Sequence, residues 1–206
     1  VALADPPPRT GFVERALIAA YTGGLKPILC LTKSDLAPPE PFAAQFADLE
    51  LTVVTAGRAD DLAAVDPLLA GKLTVFLGHS GVGKSTLVNR LVPQADRATG
   101  EVSGVGKGRH TSTQSVALPL AGGGWVIDTP GVRSFGLKHV TTESVLAAFG
   151  DLARITGDCP RGCQHDTAAP ECALDVAVAA GELRPERLES FRRMEKVWTS
   201  PGYDAH

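Results

Sequence analysis

Apolar residues recur along this chain in two kinds of block. Short runs of three to five read as strands: Pro27-Ile28-Leu29-Cys30-Leu31, Leu51-Thr52-Val53-Val54, Leu73-Thr74-Val75-Phe76-Leu77, Ser115-Val116-Ala117-Leu118 and Trp125-Val126-Ile127. Before the first of these and between the first three lie stretches whose apolar residues return at helical spacing, at 10–21, about 40–49 and 61–69. In the first of these, Phe12, Ala16, Leu17 and Ala20 share a face, Thr10 is the expected N-cap and Gly23-Gly24 the stop. Asp5-Pro6-Pro7-Pro8 interrupts regular structure, and Val1-Ala2-Leu3-Ala4 before it is the expected remnant of a strand. Alternating strands and helices predict a mostly parallel, helix-covered sheet, so the fold class is α/β. The strand at 27–31 is expected to be fully buried and that at 73–77 buried, and Ala121-Gly122-Gly123-Gly124 joins the last two strands as a hairpin. From 141 onward strands give way to helices, at 173–180 and 184–198. The expected division is therefore an α/β domain over 1–138 and a small helical domain over 139–206.

Composition narrows the classes without naming one. At 206 residues and 44% hydrophobic, the chain can bury a core, and its net charge of −3 does not announce a nucleic-acid binder. No apolar run is long enough to span a bilayer and no signal peptide is visible, so a cytoplasmic protein is expected. The first residue is Val1 rather than Met, which leads us to expect a fragment or a processed product. Four cysteines do not make a disulfide scaffold at this length, and three of them cluster with a histidine.

Chemistry concentrates after the strand at 73–77. Gly78-His79-Ser80-Gly81-Val82-Gly83-Lys84-Ser85-Thr86 matches G-x-x-x-x-G-K-[ST], between a strand and the helix opened by Leu87-Val88-Asn89-Arg90-Leu91. The glycines let backbone N–H groups face a phosphate, Lys84 supplies a charge and the Ser85 hydroxyl a Mg²⁺ ligand. The strand at 125–127 ends in Asp128-Thr129-Pro130-Gly131. There Asp128 is placed to hold Mg²⁺ and the Gly131 N–H to meet a terminal phosphate. Upstream, Thr32-Lys33-Ser34-Asp35 lies at a strand's carboxyl end, with Thr55-Ala56 at the end of the next. The Asp35 carboxylate can accept from guanine N1–H and N2–H₂, a donor pair that adenine lacks, and the Ala56 N–H can reach O6. The base is therefore guanine.

These motifs resemble those of translation-factor-type GTPases, but the guanine motifs precede the phosphate loop, the order of a circularly permuted GTPase. Together with Gly108-Arg109-His110-Thr111-Ser112-Thr113, Asp128-Thr129-Pro130-Gly131-Val132-Arg133-Ser134-Phe135-Gly136-Leu137 and the cysteine–histidine cluster, the chain resembles the ribosome small-subunit-dependent GTPase A family over nearly its whole length. The resemblance implies a GTP hydrolase that assists late maturation of the small (30S) ribosomal subunit. It would bind that subunit and its rRNA, be stimulated by it and leave on hydrolysis. Members usually carry an N-terminal OB-fold, which is not expected within these residues, and a monomer is expected.

Either Thr111 or Ser112 supplies the hydroxyl that closes on Mg²⁺. In Ras-like GTPases a glutamine follows DxxG and orients the attacking water; here it is Val132, so His110 is the candidate for that role, or else a loop residue that contacts RNA or solvent. Glycine-rich 97–113 is expected to order with nucleotide state. Cys159, Cys163, His165 and Cys172 form a complete tetrahedral Zn²⁺ set, one structural ion per chain. The arginines at 184, 187, 192 and 193 read either as a solvated helix face with i,i+4 pairs or as a contact surface for rRNA phosphates. Two further readings stay open: a nucleotide-regulated RNA-binding assembly module with little hydrolysis, and a P-loop kinase.

Overall fold

The computed structural model describes residues 1–49, 51–93, 115–132, 136–137 and 139–199. It resolves into two compact units interleaved in sequence: Val1–Pro8, Leu29–Phe42 and Val53–Arg133 form one, and Arg9–Ile28, Ala43–Thr52 and Ser134–His206 the other. The division expected at 138 falls near the start of the second unit's last segment. Two earlier stretches, 9–28 and 43–52, also pack with that unit.

In the first unit, β1 (Ile28–Thr32) pairs with β2 (Thr52–Ala56), while β3 (Lys72–Phe76), β4 (Val116–Pro119) and β5 (Gly124–Asp128) form a sheet of order β3-β5-β4. β3 and β5 run parallel, from Lys72 opposite Gly124 to Phe76 opposite Asp128. This register brings the ends that carry the two phosphate-side motifs together. β4 runs antiparallel to β5 through the expected hairpin, the one departure from a parallel sheet here. Gly124 must be glycine twice over. Its φ is +88°, and a Cβ there would lie 2.4 Å from the Lys72 carbonyl oxygen. Ala2 forms a parallel bridge with Thr32, as expected of a strand remnant. Helix α4 (Lys84–Leu91) packs on β5 and the short α3 (Asp66–Leu69) on β3 and β5.

Two expectations need correcting. The 73–77 run is not fully buried: Leu73 and its register partner Trp125 are 69% and 50% exposed, whereas Val126, on the opposite face, is completely buried. Side chains alternate between faces, and among the described residues the face that carries Leu73, Val75 and Trp125 is exposed. A continuous apolar run signals burial on both faces only if a second layer arrives, which the run itself does not encode. The helix expected over 40–49 is also broken. It forms α2 (Glu40–Ala43), continues as a 3-10 turn (Ala44–Phe46) and places Phe42 and Phe46 in the core.

The second unit is helical: α1 (Thr10–Thr22), α5 (Thr142–Ala148), α6 (Gly150–Thr156), α7 (Ala173–Ala179) and α8 (Pro185–Thr199). α1 packs against α5 and α8. Tyr21, Phe149 and Phe191 meet edge to face, with centroids 5.4 and 6.2 Å apart. α5 opens on a capping box, Thr141 and Ser144 each bonding the other's backbone N–H. Thr10 does not cap α1; it is the first helical residue, and its hydroxyl donates to Gln45. Pro185 opens α8 at a first-turn position, where its missing N–H costs nothing.

Arg184, just before α8, and Arg187, Arg192 and Arg193 on it bond across elements rather than along the helix. Arg184 pairs with Asp48 at 2.7 Å and Arg193 with buried Glu14 at 2.6 Å. Arg187 grips Asp151 with two bonds and also donates to the Asp48 carbonyl. Arg192 pairs with Asp175. Their guanidinium groups hold the unit together.

Candidate nucleotide site and metal centre

The phosphate loop follows β3 and runs into α4 as expected. Gly81 and Gly83 take φ of +80° and +92°, left-handed values that cost other residues about 1–2 kcal/mol. Gly83 is the N-cap and Lys84 the first helical residue, so the loop's amides stand at a helix N-terminus. Lys84 Nζ donates to the carbonyls of Gly78 at 2.7 Å and His79 at 3.0 Å. Ser80, Gly81, Ser85 and Thr86 are exposed, and Gly78 and Val82 buried.

The Asp128–Gly131 turn lies directly on this loop. Thr129 Oγ1 donates to the Phe76 carbonyl at 2.6 Å, and the Val132 N–H to that of Gly78 at 3.1 Å. A Cβ on Gly131 would sit 2.7 Å from Ser80 N and 2.9 Å from its Cα, so only glycine lets the two backbones approach this closely. Asp128 Oδ1 is buried with no hydrogen-bond partner. An orphaned carboxylate oxygen suits a cation. Burial pushes the Asp128 carboxyl up against the pull of Lys84, and burial lowers Lys84 against the pull of Asp128.

The guanine motif reaches the same loop. Thr32 Oγ1 lies 2.5 Å from the Val82 carbonyl and 3.1 Å from that of Val1, bringing residues fifty positions apart into contact. Lys33 has φ +58° and donates to the Asp5 carbonyl. Asp35 is exposed, its Oδ1 accepting the Arg58 N–H at 3.1 Å, while Ala56 is buried.

Two residues that the motifs do not name support this loop. Asp60 Oδ2 accepts the Gly57 N–H at 2.5 Å and the Ser34 hydroxyl at 2.8 Å, and these bonds hold its carboxyl below the usual range. Arg90, on α4, donates to the carbonyls of Gly57 and Asp60. The helix that opens at the phosphate loop thus also braces the base loop. An Asp three residues after Gly57 is a weak local signal for the first of these; nothing local marks Arg90. Of the expected site residues, His110, Thr111 and Ser112 lie outside the described residues.

In the helical unit, Cys159, Cys163, His165 and Cys172 converge with all four donor atoms within 4.8 Å of one another. His165 Nδ1 is 3.5 Å from Cys159 Sγ and 3.8 Å from Cys172 Sγ. With metal bonds of about 2.3 Å to sulfur and 2.0–2.1 Å to nitrogen, a tetrahedron has an N–S edge of about 3.6 Å, so the set fits. Burial pushes the Cys172 thiol up to about 11, and the nearby Cys163 and Cys159 add to the rise. Thiols packed this closely ionise when a cation compensates them, so the cluster is suited to hold a metal ion.

A relative from Pseudomonas aeruginosa, named small ribosomal subunit biogenesis GTPase RsgA, is 41% identical over 201 residues, 92% of this chain and 58% of that protein. One of the same name from Azotobacter vinelandii is 38% identical over 208 residues, 96% of this chain and 60% of the relative. The chain thus spans less than two thirds of these relatives' length. Among solved structures, YloQ, described as a circularly permuted GTPase, matches with a TM-score of 0.66 and 28% identity, over 98% of this chain and 68% of that one. YjeQ from Thermotoga maritima matches in fold with a TM-score of 0.68 at 23% identity, over 98% of this chain and 70% of its own. No helix among the described residues is long and apolar enough to cross a membrane. The family model described as RsgA GTPase matches residues 1–138, and the chain belongs to that family.

Proposed function

We propose that this chain binds and hydrolyses GTP, and that it acts as a monomer in the cytoplasm in maturation of the small (30S) ribosomal subunit, on the rRNA of that particle. The observation that carries the reading is the contact between Thr32 and the Val82 carbonyl, which seats the guanine motif on the phosphate loop. The relatives' names supply the ribosomal context. In this reading residues 1–138 form the nucleotide domain and 139–206 a zinc-binding domain.

Asp35 accepts from guanine N1–H and N2–H₂, the Ala56 N–H meets O6, and Thr32, Lys33, Ser34 and Thr55 shape the base pocket. The N–H groups of residues 78–86 and the Lys84 ammonium hold the phosphates, and the Gly131 N–H meets the terminal one. Mg²⁺, held by Ser85, Asp128 and either Thr111 or Ser112, would neutralise charge developing on the phosphate oxygens. The orphaned Asp128 oxygen supports that assignment. Val132 offers no side-chain donor to a water, so His110 is assigned to position it. Cys159, Cys163, His165 and Cys172 hold Zn²⁺ as a structural ion.

Single-turnover GTP hydrolysis with and without small subunits tests this function. Turnover that the subunits accelerate, and that His110→Ala slows without loss of GTP binding, is the expected result. Tight GTP binding with no turnover in either condition would favour the RNA-binding module instead. Equal competition by ATP would remove the guanine assignment. The base-loop brace makes a separate prediction. Arg90→Gln removes two charge-assisted bonds, each worth about 1.5–3 kcal/mol, and we expect GDP affinity to fall about 10–100-fold in a fluorescent-nucleotide titration. Unchanged affinity would mean that the loop keeps its shape without the arginine.

A further inference from the structure

We propose that Arg192 is a positioning residue for the metal centre, holding the histidine ligand's loop and the last cysteine ligand's helix in the geometry that receives the ion. This rests on the metal reading of the four-residue cluster. Arg192 acts on the ligands through backbone and through Asp175. Its Nε donates to the His165 carbonyl at 2.8 Å and its Nη2 to the Asp166 carbonyl at 3.0 Å. The other edge of the guanidinium is bidentate on Asp175, at 2.9 and 2.6 Å. One planar group therefore spans two pieces of chain. One is the loop that carries His165. The other is α7, whose N-cap is Cys172.

The loop needs such a hold. His165 has φ +59°, a left-handed conformation that a non-glycine residue does not keep without support. That conformation sets where Nδ1 stands, 3.5 and 3.8 Å from two of the sulfurs. Cys172 is held from the other side, because Asp175, one turn along α7, fixes the helix against Arg192. A second link closes the set: the Ala173 N–H donates to Cys159 Sγ at 3.3 Å, tying the first cysteine to the start of the same helix. The Arg192 side chain is mostly buried, whereas Asp175 is 49% exposed, so water weakens that pair in part and the bond to the His165 carbonyl less. A lysine could not replace it, since a point charge meets one of these acceptors but cannot span the fork.

Groups that orient a metal's ligands typically contribute 10–100-fold in affinity. The experiment is zinc competition against a chromophoric chelator on the full chain, with circular dichroism to follow helix content. Wild type is expected to hold one zinc. Arg192→Gln is expected to hold it about 10–100-fold more weakly, and Arg192→Lys to recover only part of the loss. Should Arg192→Gln fail to fold, Asp175→Asn, which keeps shape and removes one side of the fork, is expected to weaken zinc severalfold while staying helical. Wild-type zinc affinity in both Arg192→Gln and Asp175→Asn would overturn the proposal and leave the metal site standing. A wild type that takes up no zinc would overturn the metal reading, and this proposal with it.

Discussion

Arg187→Met is expected to destabilise the helical unit by about 3 kcal/mol, the largest single-residue effect we anticipate on its stability. Breaking a buried ion pair by removing one partner typically costs about 3–5 kcal/mol, because the other charge is left without compensation. Here Asp151 is 42% exposed, so water recovers part of that cost and the lower end applies. The pair is bidentate, with bonds of 3.0 and 2.9 Å, and two further losses act in the same direction. The Asp48 carbonyl loses its 2.6 Å donor. The stacking of the guanidinium on Phe149, at 4.7 Å, goes too, and a methionine restores only apolar contact. The effect carries a pH signature. Arg187 holds the Asp151 carboxyl below its ordinary range. Between the depressed and ordinary values the unfolded chain binds more protons than the folded one, so stability rises with pH there. The contribution is complete above the ordinary carboxylate value and is lost as pH falls through the depressed one. Urea melts across the acid range should therefore show wild type and Arg187→Met converging as pH drops. A constant gap would mean that Arg187 stabilises by packing rather than by pairing.

Lys84→Ala is expected to abolish nucleotide-dependent stabilisation of the other unit. Each charge-assisted bond to phosphate is worth about 1.5–3 kcal/mol, so losing the lysine should cost 100-fold or more in affinity. At a GDP concentration of about 100 times the wild-type Kd, ligand stabilises the fold by about 2.7 kcal/mol. A 100-fold weaker variant gains only about 0.4 kcal/mol at the same concentration. A thermal melt with and without GDP reads this directly. The variant without nucleotide should melt slightly below wild type, because Lys84 also bonds the carbonyls of Gly78 and His79. Retention of the full GDP-induced shift would remove Lys84 from the phosphate site.

Local patterns carried much of the architecture. β3, α4, the β4–β5 hairpin, α7 and α8 stand close to where periodicity and turn residues put them, because each is specified by residues within a few positions of one another. The phosphate loop is legible for the same reason: its glycines, its lysine and the helix it opens are contiguous, and the left-handed values at Gly81 and Gly83 follow from their type. The metal cluster was legible from chemistry, since three cysteines and a histidine in fourteen positions have few other uses. The α1 N-cap went the other way. Thr10 had the right type, but its hydroxyl found Gln45, a partner 35 residues away.

What this chain's sequence determined alone is therefore the order of its motifs and the four residues that gather as a candidate metal set. Both are properties of residue type and near spacing. Only the tertiary structure decided how those motifs are held. The closeness of Gly131 to Ser80, the seating of Thr32 on Val82, the Arg90 brace and the bonds that Arg184 and the three α8 arginines make across elements all join residues far apart in the chain. Such bonds depend on where the backbone returns in space, and no residue announces in advance which distant carbonyl or carboxylate it will meet. The exposed face at Leu73 and Trp125 belongs with them, because an apolar run is written locally but its burial is granted by whatever packs against it.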